Sequence, residues 1–110
     1  MDEIVVLITA GAEGEATSIA RDLVEKRLVA CVNILPGVRS IFQWEGKVTE
    51  ECEYLLIAKT VSQAFEPVVA AVKSLHSYRV PEIIALPIQQ GLPEYLRWIR
   101  ESTNQTRHSA

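Results

Sequence analysis

The sequence predicts an α+β fold of the ferredoxin-like type, with the element order β-α-β-β-α-β and an additional helix at the C-terminus. Three observations predict this fold. Two segments of helical apolar periodicity alternate with extended, β-branched segments. The two middle extended segments follow one another around a single glycine, as the arms of a hairpin do. The chain has 110 residues, which suits one domain, and 48% of them are hydrophobic, so it can bury a core.

The first two elements are a buried strand and an amphipathic helix. Residues 3–9, EIVVLIT, are apolar almost without interruption, which is typical of a strand in the middle of its sheet. After a glycine-containing linker, Glu13 and Glu15 place negative charge where a helix N-terminus favours it. The residues that follow form an apolar stripe at helical spacing, namely Ala16, Ile19, Ala20, Leu23, Val24 and Leu28.

A long hairpin is predicted in the middle of the chain. Residues 29–45 are extended and are interrupted at Pro36-Gly37, where we expect a bend or a bulge. Gly46 marks the predicted tip, and the return strand covers about residues 48–59. Each arm has roughly 12 to 15 residues, whereas a strand usually has ~5 or 6.

Arms of this length predict an oligomer. Two helices from the same chain cannot cover them, so apolar residues such as Phe42 and Trp44 and the strand edges near the tip would be exposed. Pairing with neighbouring subunits removes both costs. We therefore expect a homo-oligomer whose interfaces extend the sheet, with Phe42 and Trp44 as interface anchors.

The second half of the chain is predicted to contain a helix, a strand and a final helix. Residues 62–75 carry a helical apolar stripe, and Pro67 makes the start of this helix irregular or 3₁₀. EIIALPI, residues 82–88, is predicted to be another buried strand, with Pro87 placing its far end at an edge or a bulge. Residues 92–99 have the spacing of a short amphipathic helix.

Composition bounds the domain and excludes several classes of protein. We expect one domain over residues 1–102 and a polar tail over residues 103–110. The net charge is −3 and the charges are interspersed, which argues against nucleic-acid binding. No apolar run approaches the ~20 residues of a membrane span, and the acidic N-terminus does not have the pattern of a secretory signal, so we expect a cytoplasmic protein. Cys31 and Cys52 are expected to be free thiols.

The segment SLHSYRVPEI, residues 74–83, places three functional side chains between the second helix and the last strand. His76 is interpreted either as a metal ligand or as a helix C-terminal residue that binds backbone carbonyls, and the second is favoured because metal sites need three or four ligands. Tyr78 either binds a ligand through its hydroxyl or buries its ring. Glu82 is expected to line a cleft and to need a partner, with Lys59 and Arg79 as candidates.

No catalytic motif is present in the sequence. It contains no phosphate-binding glycine loop, no serine nucleophile motif and no HExxH. Neither cysteine has a histidine near it in the sequence, so both are expected to be small buried side chains rather than nucleophiles. We therefore expect no enzymatic activity and no required cofactor.

Four strings resemble a known family in their order and spacing. They are ARDLVEKRLVACVNILPGVRSIFQWEGKV, EYLLIAKT, LHSYRVPEIIALPI and YLRWI, and they resemble the CutA family of divalent-cation tolerance proteins from about residue 4 to residue 100. The resemblance implies a ferredoxin-like homotrimer, related in architecture to PII signalling proteins. It also implies that the long hairpins interlock between subunits and that three equivalent clefts lie between them.

The resemblance leads to three hypotheses about function. The first is a PII-like protein with a signalling or carrier role that binds a small molecule in the clefts. The cleft residues of this hypothesis are Cys31, Trp44, Glu53, Lys59, His76, Tyr78 and Glu82. The second is a tolerance protein that binds copper or another divalent cation through His76, with or without Cys31. The third is an interaction scaffold without a ligand.

Carried over residue by residue, the resemblance weakens the metal hypothesis. Some members of the family use a cysteine late in the first strand, where this chain has Ile8. They also use two consecutive histidines, of which the first is Leu75 here and only His76 remains. Ser77 replaces the usual proline. One imidazole per subunit is a poor chelate unless Cys31 or the threefold symmetry completes it.

Overall fold

The computed structural model describes residues 2–103 as a four-stranded antiparallel sheet with three α-helices. The sheet order is β2-β3-β1-β4, and a 3₁₀ turn over Ser62–Ala64 leads into the second helix. The elements in chain order are β1 (Glu3–Ala10), α1 (Glu13–Glu25), β2 (Cys31–Trp44), β3 (Lys47–Val61), α2 (Phe65–Leu75), β4 (Ile83–Pro87) and α3 (Pro93–Ser102). This is the predicted ferredoxin-like arrangement, including the central position of β1 and the irregular start of α2.

The core lies between α1, α2 and one face of the sheet, called here the first face. Successive strand residues point to opposite faces, so alternate residues of β1 and β3 point towards the helices. Complete burial of a side chain such as Ile19 or Leu23 stabilises the fold by about 1.5–3 kcal/mol. The fully buried apolar residues of this core include Val6, Ile8, Ile19, Leu23, Leu56, Val68 and Val72.

Helix α3 covers only one end of the second face. It packs mainly on β3 and β1, where Ile99 is fully buried and Arg100 donates to the carboxylate of Glu3 at 3.0 Å. The rest of the second face is called the open face. By strand register it consists of Leu7, Leu35, Leu55, Ile57, Ile84 and Leu86.

The open face corrects one sequence prediction. The strand β4 was expected to be buried, but Ile84 and Leu86 are 49% and 50% exposed. Their apolar side chains point to the face that α3 leaves uncovered, so the prediction is wrong for a single chain. A continuous apolar run indicates that both faces of a strand are buried against other residues, but it does not indicate whether those residues belong to the same chain.

The hairpin has the predicted length and irregularities. Strands β2 and β3 contain 14 and 15 residues. Their register shifts between Leu35 and Val38, and Gly37 there has φ +74°. The turn at the tip has Glu45 at φ 50° and Gly46 at φ 78°. Because a strand of this length spans roughly 45 Å, the arms account for the length of the molecule, which is 46 Å against widths of 28 and 23 Å.

The described chain continues one residue beyond the predicted domain boundary. Thr103 is 4% exposed, and its hydroxyl donates to the carbonyl oxygen of Arg100 at 3.0 Å. The rest of the predicted tail, residues 104–110, lies outside the described residues. Among residues 2–103, no helix is long and apolar enough to cross a membrane.

We expect Gly46→Ala to lower the free energy of unfolding by about 1–2 kcal/mol, because a Cβ is disfavoured in the left-handed conformation of the hairpin turn. Gly14→Ala is the matched control. A Cβ at Gly14 meets no atom within 4 Å, and alanine favours the helix by about 1 kcal/mol. Urea denaturation at equal protein concentration measures both, and unchanged stability of Gly46→Ala would contradict the turn.

Candidate functional site

A histidine with a completely buried side chain, His76, holds the segment between α2 and β4 in place through hydrogen bonds. This segment is called the joint. The helix ends at Leu75, and His76 turns to extended backbone at φ −83° and ψ 139°. Its N–H still donates to the carbonyl oxygen of Val72 at 2.8 Å. The side chain of His76 is 0% exposed. His76 is therefore at the helix C-terminus as predicted, but its ring binds the carbonyl oxygen of Thr9 in β1 rather than a carbonyl of α2.

Both ring nitrogens of His76 are engaged. Nε2 lies 2.6 Å from the carbonyl oxygen of Thr9, which can only accept, so Nε2 carries a hydrogen. Nδ1 lies 3.0 Å from the backbone nitrogen of Tyr78 and 3.0 Å from a carboxylate oxygen of Glu15. Without a proton Nδ1 accepts from Tyr78, and with a proton it donates to Glu15. In neither form does the ring offer a free lone pair to a metal ion.

Glu15 ties the joint to the first helix. Its carboxylate accepts the backbone N–H of Ser77 at 2.9 Å, in addition to its contact with His76. Sequence analysis identified Glu15 only as an acidic residue in the first turn of α1, where the helix dipole favours it. The link to residues 76 and 77 was missed because no local pattern connects positions so far apart in the chain.

Tyr78 continues the joint towards β3. Its hydroxyl donates to a carboxylate oxygen of Glu53 at 2.9 Å, and its ring centroid lies 4.8 Å from that of His76. Glu53 is 6% exposed, whereas Tyr78 is 38% exposed. A Cβ at Gly11 would come within 2.8 Å of the Tyr78 hydroxyl oxygen. Position 11 therefore requires a residue without a side chain for this hydrogen bond to form.

The surroundings of Tyr78 keep its hydroxyl protonated. Its pKa is raised from 10.0 to about 12, chiefly by partial burial, then by the hydrogen bond to Glu53 and the negative charges of Glu53, Glu51 and Glu15. Since the protonated form is favoured in the folded state, this contribution to stability is complete below pH 10 and is lost as the pH rises through 12. These carboxylates and Tyr78 are called the acidic end.

Cys31 and Lys59 lie at the opposite end of β3 and are cross-strand partners. The Cys31 Sγ is 3.6 Å from the Tyr95 hydroxyl oxygen, and the Lys59 ammonium donates to the side-chain oxygen of Asn33. The carbonyl oxygen of Thr9 binds His76, and Thr9 pairs with Leu55 of β3. Leu55 and Lys59 are four residues apart on β3, which is about 13 Å along the strand. His76 and Cys31 therefore do not form a joint metal site within one chain.

The remaining predicted cleft residues lie apart from both groups. Trp44 is 57% exposed at the hairpin tip. Glu82 is exposed in the joint, and among residues 2–103 no ion pair joins it to Lys59 or Arg79. The expectation of such a partner is wrong for Lys59, because Glu82 precedes the end of β4 that pairs with Ile8, and Lys59 is at the other end of the sheet.

The chain by itself contains no complete set of metal ligands in its described part. Over residues 2–103, no three His, Cys, Asp or Glu side chains are grouped closely enough to hold one ion. Both cysteines are free thiols as predicted. The expected burial is wrong for Cys52, which is exposed because it is on the long hairpin arm that the helices do not cover, and Cys31 is only half-buried. Glu53 and Lys59 share a face of β3, but six residues separate them by about 20 Å.

The fold and this joint define the class as a ferredoxin-like α+β protein with an elongated hairpin, and sequence comparisons then define the family. The family model described as "CutA1 divalent ion tolerance protein" matches residues 4–102. The chain is 55% identical over 101 residues to the divalent-cation tolerance protein CutA of Thermus thermophilus, and the match covers 92% of this chain and 98% of that one. It is 44% identical over 102 residues to protein CutA of Mus musculus and spans 58% of that longer protein.

Solved structures agree with the sequence comparisons. The divalent cation tolerance protein from Thermus thermophilus superposes with a TM-score of 0.91 at 55% identity, covering 93% of this chain and 99% of that chain. CutA1 from Oryza sativa superposes with a TM-score of 0.93 at 41% identity, covering 96% of each chain. The chain therefore belongs to the CutA1 divalent ion tolerance family, as the sequence resemblance predicted.

We expect Glu53→Gln to lower the pKa of Tyr78 towards 10.0, because the substitution removes the charge that accepts its hydrogen bond. Glu50→Gln is the matched control, since Glu50 lies on the opposite face of β3 and pairs with Arg39. An ultraviolet titration of tyrosinate formation measures the change. Tyr78→Phe should remove the group that titrates near pH 12. An unaltered titration in Glu53→Gln would contradict the described hydrogen bond.

Proposed function

We propose that the protein confers tolerance to divalent cations, copper among them, by binding them as a homotrimer. The observation that carries this proposal is the match to the divalent ion tolerance family over residues 4–102. The relative from Thermus thermophilus, 55% identical, bears the same function in its name. The cation is the cargo in this proposal, and neither a catalytic step nor a resident cofactor is required.

The open face and the strand edges support the homotrimer. The sheet order leaves β2 and β4 as edge strands. If β4 of one subunit adds to β2 of the next, both edges are paired, and the open face continues across the junction through Ile84 and Leu86. A head-to-tail contact of this kind closes into a ring when the rotation between neighbouring subunits is a whole fraction of a turn. Three copies give the assembly that the family resemblance implies.

The acidic end is the region of one chain that attracts a divalent cation most directly. The carboxylates of Glu51, Glu53 and Glu15 all act on Tyr78, and oxygen ligands suit divalent ions. These side chains do not complete a site within residues 2–103, so we propose that a neighbouring subunit supplies the remaining ligands. His76 then holds the joint in place without coordinating the ion.

The predicted ligand Cys31 fits a cation site less well. Its cross-strand partner is the cation Lys59, and a positive charge on the neighbouring strand repels a second cation. A soft thiol still suits copper, so Cys31→Ser belongs in the test.

A second candidate function is the binding of a small molecule in the clefts between subunits, with a signalling or carrier role. One observation favours it. Tyr78 remains 38% exposed while its hydroxyl is held against the buried Glu53, so a polar ligand could reach an already oriented donor and acceptor.

We expect Glu51→Gln to weaken copper and zinc binding about tenfold, the loss of roughly one charged contact. Glu50→Gln, whose carboxylate lies on the opposite face beside Arg39, should leave the affinity unchanged. Calorimetric titration of the folded protein measures both. Weakening by Cys31→Ser with no effect of Glu51→Gln would move the site to the thiol.

The variant His76→Ala distinguishes a role of His76 as a metal ligand from a structural role in the joint. We expect the free energy of unfolding to fall by about 2 kcal/mol or more, because Thr9 and Tyr78 lose their buried partner. Copper affinity of the molecules that remain folded should stay within a few-fold of the natural chain. Lost copper binding at unchanged stability would contradict the structural role.

Growth under copper stress tests the function itself. Cells that lack their own tolerance protein should grow at higher copper concentration when they express this chain, and Glu51→Gln should rescue them less. Failure of the natural chain to restore growth would overturn the cation proposal. If small-molecule screens also find no ligand, a ligand-free scaffold would be the remaining hypothesis.

A further inference from the structure

Lys59 is a partly exposed cation near the end of β3. Among residues 2–103 no ion pair includes its ammonium group. Lys47 and Lys73 also have no ion pair there, but both are exposed to water. Burial of an ammonium group is costly unless it is paired. The described residues therefore leave the charge of Lys59 without a neutralising carboxylate.

Hydrogen-bond donors remain available at Lys59 and beside it. The ammonium group has three donors, and the described chain uses one of them on the side-chain oxygen of Asn33. The amide nitrogen of Asn33 adds two more donors on an exposed residue. An anionic oxygen placed here would meet donors from two adjacent strands.

Two aromatic rings of α3 lie on the other side of Cys31 from this lysine. Tyr95 and Trp98 of α3 have ring centroids 5.5 Å apart and are 41% and 42% exposed. Cys31 connects them to the lysine, because it is the cross-strand partner of Lys59 and its sulfur lies 3.6 Å from the Tyr95 hydroxyl. Cross-strand partners have Cβ atoms about 5 Å apart, so Lys59 and Tyr95 both lie next to Cys31 on the second face.

We propose that Lys59, Asn33, Tyr95 and Trp98 form a binding site for a small aromatic carboxylate. The carboxylate accepts from Lys59 and Asn33, and its ring packs on the exposed Tyr95–Trp98 pair. The class follows from the groups present: an ammonium group beside amide donors attracts a carboxylate, and exposed aromatic faces attract a planar apolar group. The site is at the opposite end of β3 from the acidic end and does not depend on cation binding.

The experiment uses 1-naphthoate and 1-naphthamide, which share a ring system and differ in charge. The chain has two tryptophans, Trp44 and Trp98, so Trp44→Phe leaves Trp98 as the reporter. We expect 1-naphthoate to quench its fluorescence saturably and 1-naphthamide to bind at least about tenfold more weakly, as expected for loss of a charge-assisted hydrogen bond. Calorimetry on the natural chain repeats both titrations.

Variants assign the effect to the lysine. Lys59→Gln should remove the preference for naphthoate over naphthamide, and Lys59→Arg should retain it. Lys73→Gln, an exposed lysine on α2, is the matched control and should bind like the natural chain. Thermal denaturation verifies that each variant is folded. If Lys59→Gln does not fold, the comparison uses Lys59→Arg, and loss of the preference for 1-naphthoate in that variant would contradict the proposal.

Three results would overturn the proposal. The first is equal affinity for 1-naphthoate and 1-naphthamide, which would indicate adventitious apolar binding only. The second is an equal loss of 1-naphthoate affinity in Lys59→Gln and Lys73→Gln. The third is the absence of saturable quenching at millimolar 1-naphthoate. Because the probes are organic anions and the cation proposal is tested with metal ions, failure of one leaves the other standing.

Discussion

How the second face of the sheet is covered decides most of what this molecule can do. Over residues 2–103 the chain supplies two helices for the first face, but only α3 for the second, and α3 covers one end of it. The described helices do not cover the apolar residues of the open face. They also do not cover the 14- and 15-residue arms of the hairpin. Exposed apolar surface and unpaired strand edges both favour association. The proposed homotrimer is the arrangement that satisfies both at once.

The open face also separates two chemically different regions. At one end, carboxylates surround Tyr78, and the buried ring of His76 fixes the backbone that carries this tyrosine. At the other end, Lys59 and the rings of α3 form a region that is positive and aromatic. The strand β3 holds the two about 20 Å apart. Because β2 and β4 are the edges of the sheet, a neighbouring subunit placed along either edge would border both regions.

Local chemistry was sufficient to predict the fold. The helical stripes identified α1 and α2, Pro36-Gly37 marked the bulge, and Gly46 marked the turn, since each signal depends on residues close together in the sequence. The candidate site was predicted only in part. Three of the seven predicted cleft residues, His76, Tyr78 and Glu53, lie together in the structure. Glu15 and Tyr95 were missed because their contacts depend on how helices pack on the sheet. The exposure of β4 was missed for a related reason: an apolar pattern does not state whether its partner belongs to the same chain.

Sedimentation equilibrium of the natural chain at micromolar concentration tests the central claim most directly. If the open face and the arms are covered by neighbouring copies, the protein will sediment as one species of three chains, each of 12.3 kDa. A folded species with the mass of a single chain, stable across the concentration range and with the circular dichroism of a complete sheet, would contradict the account.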